Sequence, residues 1–176
     1  MRIVVMVLAS LVGLLALVFV CGVLIPADHV VSRSILLAKP QDEVWLVLSD
    51  FSKYSTWAPA VTGTKRLPDQ DGHPVWSLEG KWAMPLALDV VETPRQLVTR
   101  IADPKLPFGG TWTWDLSTEK GGTRVVVTER GEIRSPIFRL LSRFVFGYNA
   151  TMDTYLDALA KHFGETAKPG PPPGAA

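Results

Sequence analysis

The first 27 residues of the chain form an apolar segment that differs from all that follows. Residues 3–25 carry no charge, and only Ser10, Gly13 and Gly22 interrupt the apolar side chains. At about 1.5 Å per residue, this run makes a helix of roughly 35 Å, which exceeds a hydrocarbon core of about 30 Å. A cleaved signal has a shorter apolar core and a small-x-small cleavage site, and the run has neither feature. The pattern predicts an uncleaved transmembrane anchor over residues 1–27.

Beyond the anchor, short stretches rich in strand-forming residues alternate with turn-forming sequences. Asp-Gln-Asp-Gly at 69–72 and Glu-Lys-Gly-Gly at 119–122 are two such turns. The strands are predicted at 30–38, 61–67, 75–82, 86–92, 96–102, 110–117 and 123–133. Strands at this spacing, joined by short polar turns, favour an antiparallel meander.

Helical spacing occurs in three places. Val44, Trp45 and Leu48 predict a helix that begins near Pro40, and residues 50–59 resemble a short second helix. The third is a stripe at steps of three or four, which predicts one amphipathic helix of about 28 residues. Its members are Ile137, Leu141, Phe144, Tyr148, Met152, Tyr155, Leu159 and Phe163. Because only a curved sheet is long enough to cover this stripe, the predicted fold class is α+β.

The end of the chain has a different composition. Residues 168–176 are Lys-Pro-Gly-Pro-Pro-Pro-Gly-Ala-Ala, which suit neither a helix nor a strand and have nothing to bury. We therefore predict a disordered tail over residues 166–176. The segment between anchor and tail, residues 28–165, is long enough to bury the core of one domain.

Composition excludes several classes of protein. The net charge of +1 excludes a nucleic-acid-binding protein that works by bulk electrostatics, and 47% hydrophobic residues exclude a disordered chain. The single cysteine, Cys21, excludes an internal disulfide, and no Cys/His cluster is present that would hold structural zinc. We therefore predict no cofactor, no metal site and no nucleic-acid partner.

Five short motifs suggest a family. They are Ala-Lys-Pro-Gln-Asp-Glu-Val-Trp at 38–45, Leu-Ser-Asp-Phe at 48–51, Trp-Ala-Pro at 57–59, Gly-Thr-Arg-Val-Val-Val-Thr-Glu-Arg-Gly-Glu-Ile at 122–133, and Tyr-Leu with Phe-Gly-Glu at 155–165. On these residues the chain resembles the polyketide cyclase/dehydrase and lipid-transport group of the START-like (SRPBCC) superfamily. The resemblance covers residues 30–165 and implies a helix-grip fold, in which a curved antiparallel sheet wraps a long C-terminal helix around an apolar cavity. It also implies binding of lipids, sterols or polyketides, with a minority of members being enzymes.

Candidates for acid–base chemistry are few. His29, His73 and His162 have no serine, cysteine or carboxylate partner at motif spacing, which disfavours a general-base role. Charges inside predicted strands are expected to point mostly to solvent, although one or two inside a cavity would have useful pKa shifts. These charges are Glu79, Asp89, Arg100, Glu129 and Arg130. No catalytic residue is predicted.

Aromatic residues are the better candidates for function. Trp112 and Trp114 are two apart on one strand and therefore share a face, where they either fill the core or wall a ligand pocket. The predicted ligand-binding set is Trp57, Leu88, Phe108, Trp112, Trp114, Phe144, Tyr148, Met152 and Tyr155.

The leading hypothesis is a single-pass, membrane-anchored domain that binds a hydrophobic small molecule or lipid without catalysis. One alternative is a cyclase/dehydratase-type enzyme that acts on an apolar substrate in the same cavity. Another is a protein-interaction module whose interior holds little cavity. The expected location is a bacterial inner membrane, with residues 3–25 in the bilayer. The short cationic N-terminus favours the cytoplasmic side, which places the C-terminal domain outside the cytoplasm.

Overall fold

The computed structural model describes residues 2–80 and 83–174 of the chain, which form helices at both ends and strands between them. In chain order the elements are α1 (Arg2–Leu24), β1 (Asp28–Leu37), α2 (Gln41–Ser49), a 3-10 turn (Phe51–Thr56), β2 (Val61–Gln70), β3 (His73–Gly80), β4 (Met84–Glu92), β5 (Gln96–Ile101), β6 (Phe108–Glu119), β7 (Gly122–Ile133), α3 (Pro136–Leu141), a π-helical turn (Ser142–Phe146) and α4 (Ala150–His162).

The strands form one antiparallel sheet in the order β1-β7-β6-β5-β4-β3-β2. The predicted meander is confirmed, with β1 added at the far edge beside β7. Ile35 lies opposite Val125 in that pair, and Leu97 lies opposite Trp114 between β5 and β6. The last two residues of the strand predicted at 75–82 lie outside the described residues. The predicted α+β class is confirmed as well.

The core lies between the concave face of the sheet and the helices α2 and α4. Ile35, Leu37, Val125 and Val127 contribute the sheet side, and each is almost completely buried. Val44 and Leu48 of α2 and Met152, Leu156 and Leu159 of α4 are buried against them. Alternation along the strands therefore places the apolar side chains inward, as their period of two requires.

The prediction of one long C-terminal helix is wrong. The α-helix ends where the π-helical turn begins. Gly147 then adopts φ 72° and ψ 149°, which interrupts the helix before α4 begins. The physical reason is that the apolar stripe has two different partners. The first part, α3, packs on α1, whereas α4 packs on β1 of the sheet. A straight helix cannot follow both surfaces.

Helix α1 is joined tightly to the rest of the fold. Gly22 is its only buried residue, because a Cβ there would lie 2.2 Å from the backbone oxygen of Pro136. The Arg139 guanidinium donates to the carbonyls of Ile133 (2.7 Å) and Ile25 (3.3 Å). The rest of α1 is solvent-exposed, and the helix is long and apolar enough to cross a membrane.

The prediction of a disordered tail from residue 166 is wrong for residues 169–171. Gly170 and Ser34 exchange two backbone hydrogen bonds of 2.8 and 2.9 Å at the free edge of β1. The Ser34 hydroxyl donates to the carbonyl of Pro171 as well. Proline prevents regular secondary structure but leaves carbonyl acceptors, and Gly170 supplies the N–H that the Ser34 carbonyl accepts.

Candidate functional site

An aromatic cluster lies on the concave face of the sheet. The rings of Trp112 and Trp114 on β6 have centroids 5.7 Å apart, which confirms that they share a face. Tyr155 of α4 meets Trp112 edge-on at 5.3 Å and Trp57 at 6.1 Å. Such edge-on contacts are favourable geometry for aromatic pairs. The cluster therefore joins the sheet, α4 and the residue that follows the 3-10 turn.

One part of this cluster remains open to solvent. Trp112, Tyr155 and Leu88 pack against the core, yet each is only partly buried. Trp76 and Leu86 on the neighbouring strands have the same intermediate exposure. Large apolar side chains that face inward and still contact solvent leave an apolar surface that the fold covers only in part. We call this the aromatic cleft, and Trp114 and Met152 lie fully buried beneath it.

The structure brings together six members of the predicted ligand-binding set and separates three. The six are Trp57, Leu88, Trp112, Trp114, Met152 and Tyr155. Phe108 lies opposite Ile133 at the start of β6. Phe144 lies on the π-helical turn and is 73% exposed. Tyr148 stacks on His29 instead of reaching the cleft.

Two polar groups belong to the residues of this aromatic cluster, the indole N–H of Trp57 and the phenol of Tyr155. The indole nitrogen of Trp57 is buried, and no other group in residues 2–80 and 83–174 accepts its hydrogen. Burial raises the pKa of the Tyr155 phenol, which therefore stays neutral at physiological pH. By contrast, the buried Tyr54 hydroxyl donates to the Leu48 carbonyl at 2.7 Å. A buried donor without an acceptor is costly, so the unpaired Trp57 N–H is a feature of the core beside the cleft that needs a physical reason.

A histidine–carboxylate pair lies at one end of the same face. Glu129 on β7 is directly opposite Trp112 on one side and Val31 on the other. Its Oε1 is 3.3 Å from Nε2 of His29. Burial raises the pKa of the Glu129 carboxyl, while the charge and hydrogen bond of His29 and the Trp112 indole offset part of the shift. A carboxyl group with a raised pKa that contacts an imidazole has the two group types that general acid–base catalysis uses.

The His29 ring is held on both faces. Its centroid lies 4.3 Å from that of Tyr148 in a stacked arrangement. On the sheet side it lies over Gly131, where a Cβ would be only 2.3 Å from the ring. His29 Nδ1 is also buried and lacks a hydrogen-bond partner within the described part of the chain. The ring is therefore fixed in position, with one nitrogen on Glu129 and one nitrogen free.

A pocket of about 350 Å³ lies beside His29, where α1 meets the domain. It is lined by Leu24, Ile25, Pro26, Asp28, His29, Arg143, Phe144 and Tyr148. We call it the junction pocket. It is open to solvent, and it brings two residues of the predicted ligand-binding set, Phe144 and Tyr148, next to His29 and the end of α1.

Sequence reasoning missed the pair of His29 and Glu129. The two residues are 100 positions apart, so no local motif links them. The strand register is the signal that identifies them, because His29 opposite Gly131 places Glu129 at the diagonal position on the same face. Among the predicted strand charges, Asp89 and Arg100 instead bind each other through two hydrogen bonds, while Arg130 is exposed.

Comparisons with known proteins match the domain and leave α1 outside. A model of the family described as polyketide cyclase / dehydrase and lipid transport matches residues 28–164. A START superfamily protein from Mycobacterium smegmatis is 18% identical, with a TM-score of 0.60 over 76% of this chain and 96% of that one. The Zhui aromatase/cyclase from Streptomyces sp. R1128 is 19% identical, with a TM-score of 0.58 over 76% and 93%. A protein from Thermobifida fusca is 21% identical, with a TM-score of 0.58 over 77% and 93%. No curated protein matches. At these identities the solved structures show a shared fold.

Proposed function

The chain belongs to the polyketide cyclase/dehydrase and lipid transport family, and from this premise we propose that its domain binds a hydrophobic small molecule or lipid in the aromatic cleft. The observation that carries the proposal is the exposure of the cleft wall. Trp112, Tyr155 and Leu88 face the interior of the fold but are only partly covered by it. An apolar ligand would complete the burial that the protein itself leaves unfinished.

The energy for binding comes from covering apolar surface on both partners. Burial contributes about 25 cal/mol per Å² of apolar area, so a few hundred Å² supplies several kcal/mol. The Trp57 N–H adds direction, because it favours a ligand with an oxygen acceptor near the cleft. These two features support an amphiphile with a bulky apolar part and at least one carbonyl or hydroxyl oxygen.

A second candidate function is acid–base catalysis on the same ligand, of the cyclase or dehydratase kind. The observation that favours it is the position of Glu129, which is opposite the cleft residue Trp112 and bound to His29. A neutral Glu129 would donate a proton to a ligand oxygen, and the His29 imidazole would accept one. The aromatase/cyclase from Streptomyces sp. R1128 shows that this fold supports an enzyme of that name.

We also propose that α1 spans a membrane and tethers the domain to its surface. The support is an apolar helix of 23 residues, whose most apolar part is not buried against the rest of the protein. The proposed location is a bacterial inner membrane with the domain outside the cytoplasm. The full-length protein should then stay in the membrane fraction after high-salt and alkaline washing. Recovery of a mature species that begins near Asp28 would refute the anchor.

The test of ligand binding uses the full chain extracted with a membrane-solubilising polymer. Native mass spectrometry would measure bound molecules, and solvent extraction would identify them. Trp112→Ala should weaken ligand affinity about tenfold or more, which native mass spectrometry would record as a loss of bound ligand, since loss of the indole removes at least about 1.4 kcal/mol of contact. Thr113→Ala is the matched control, because Thr113 lies on the same strand and points to the opposite face.

Three outcomes separate the hypotheses. Retention of an unchanged ligand that Trp112→Ala weakens would support a carrier or sensor. Conversion of the ligand that Glu129→Gln abolishes, with retention unchanged, would favour the enzyme. If fatty acids, sterols and polyketide-like aromatics all fail to bind, the proposal is refuted and the protein-interaction module is the remaining hypothesis.

A further inference from the structure

An exposed apolar surface follows β7, away from the aromatic cleft. We call residues 136–146, which comprise α3 and the π-helical turn, the junction segment. Ile137 and Phe138 are each 47% exposed, Phe144 is 73% exposed and Val145 is 64% exposed. Single exposed apolar residues are ordinary, but four large ones within nine positions mark a surface that contacts something apolar.

Both ends of the junction segment lie against the last turn of α1. Pro136 is in contact with Gly22, where no side chain would fit between the two backbones. At the other end, Arg143 and Phe144 line the junction pocket together with Leu24 and Ile25. The exposed apolar surface is therefore continuous with the apolar surface of α1.

The position of the segment relative to α1 is fixed by hydrogen bonds. Arg139 donates to the carbonyls of both Ile25 and Ile133. The Ile133 amide donates to the Ala27 carbonyl at 2.8 Å, which ties the end of β7 to the residues just after α1. The segment and the helix end therefore behave as one unit, and whatever surrounds the end of α1 also meets the segment.

We infer that the junction segment is a second membrane contact, which lies in the interfacial layer of the bilayer that α1 crosses. A helix of 23 residues is slightly longer than the hydrocarbon core, so its last turn lies at the boundary with the headgroups. Short amphipathic helices at this depth bury apolar side chains among acyl chains and keep basic ones at the headgroups. Phe144 and Val145 supply the apolar side chains, and the exposed Arg143 supplies the basic one.

This inference rests on the proposed membrane anchoring and adds a consequence for ligand binding. The junction pocket is lined by Leu24 and Phe144, so it would open at the level of the lipid headgroups. An amphiphile would then pass between the bilayer and the His29 end of the concave face without crossing bulk water.

The experiment uses full-length protein in vesicles of zwitterionic and anionic phospholipid, with Cys21→Ser removing the native thiol. Single cysteines introduced as Leu14→Cys, Val145→Cys and Lys120→Cys would each carry an environment-sensitive fluorophore. Leu14 lies in the middle of α1 and reports the anchor. Lys120 lies in the exposed β6–β7 turn and is the solvent control. Lipids with a quencher at a deep acyl position report on Leu14, and lipids with a quencher at a shallow acyl position report on Val145 and Lys120.

We expect quenching at Val145 to exceed that at Lys120 about threefold or more, with a blue-shifted emission. If Leu14 is quenched and Val145 behaves like Lys120, the inference is overturned while the anchor stands. If Leu14 is not quenched, the proposed anchor fails. The inference is then overturned as well if Val145 behaves like Lys120, whereas quenching at Val145 would still support membrane contact by the junction segment. The fluorophore at position 145 could instead show blue-shifted emission that lipid does not quench and that increases with protein density in the membrane. That result would show a second copy of the protein on this surface and would also overturn the inference.

Discussion

Gly131 lies beneath the His29 ring, so a substitution that adds one methyl group there tests whether the contact of His29 with Glu129 stabilises the fold. Gly131 is buried on β7, and a Cβ there would lie 2.3 Å from Cε1 and 2.5 Å from Nε2 of His29. It would also lie 3.0 Å from Oε1 of Glu129. Gly131→Ala therefore forces the ring away from Glu129 and disturbs its stacking on Tyr148.

The expected magnitude follows from two opposing contributions. Forcing an extra methyl group into a packed site costs about 1–3 kcal/mol. Gly131 does not have a positive φ, so alanine fits its backbone and restricts the unfolded chain, which stabilises by about 0.4–1 kcal/mol. The net loss should be about 1–2 kcal/mol of unfolding free energy.

Denaturant unfolding of the full-length protein in lipid nanodiscs would measure this loss. All six tryptophans lie between positions 45 and 114, so their emission reports the domain and not α1. The control is the double variant with His29→Ala, in which the ring is absent and the added methyl group has space. The reasoning is refuted if Gly131→Ala costs the same with and without His29, because the cost would then arise elsewhere.

Three further outcomes are expected from the same protein. Met152→Ala should lower the unfolding free energy by about 2–5 kcal/mol in denaturant titration, because that side chain is fully buried; a loss below 1 kcal/mol would indicate a loosely packed site. Glu129 has a raised pKa in the folded state, so the native state binds more protons and stability should fall as pH rises above the ordinary carboxyl pKa. Glu129→Gln should flatten that part of the pH profile of the unfolding midpoint, and an unchanged slope would refute the shift. Removal of residues 169–176 should speed hydrogen exchange at the Ser34 amide by about tenfold, since its acceptor is lost.

Local pattern predicted most of the fold because side-chain period and turn residues mark each element within its own stretch of sequence. The period-two alternation in β6 correctly placed Trp112 and Trp114 on one face, and the stripe in α4 correctly placed Met152 and Leu159 on the face that the structure buries. The turn sequences also separated the strands correctly. These features depend on side-chain periodicity, which is visible in any stretch of the chain.

Features that depend on the choice of partner were not predictable from the sequence. The stripe from Ile137 to Phe163 is periodic throughout, and nothing in it shows that α3 packs on α1 while α4 packs on the sheet. The pair of His29 and Glu129 depends on the register between the first and last strands, which pairs residues about 100 positions apart. The exposed position of Phe144 follows from the break before α4.

The contact of Gly170 with Ser34 also determines how the sheet can meet other sheets. Strand β1 is one of its two edges, and an uncovered edge is a template for pairing with another chain. If α1 tethers the domain to a membrane as proposed, neighbouring copies would share a plane at high local concentration, where such pairing would lead to aggregation. The backbone N–H of Gly170 donates to the Ser34 carbonyl, and the prolines at 169 and 171–173 have no backbone N–H. Residues 169–173 therefore cover the sheet edge at Ser34 and leave no free backbone N–H there for another strand to bind.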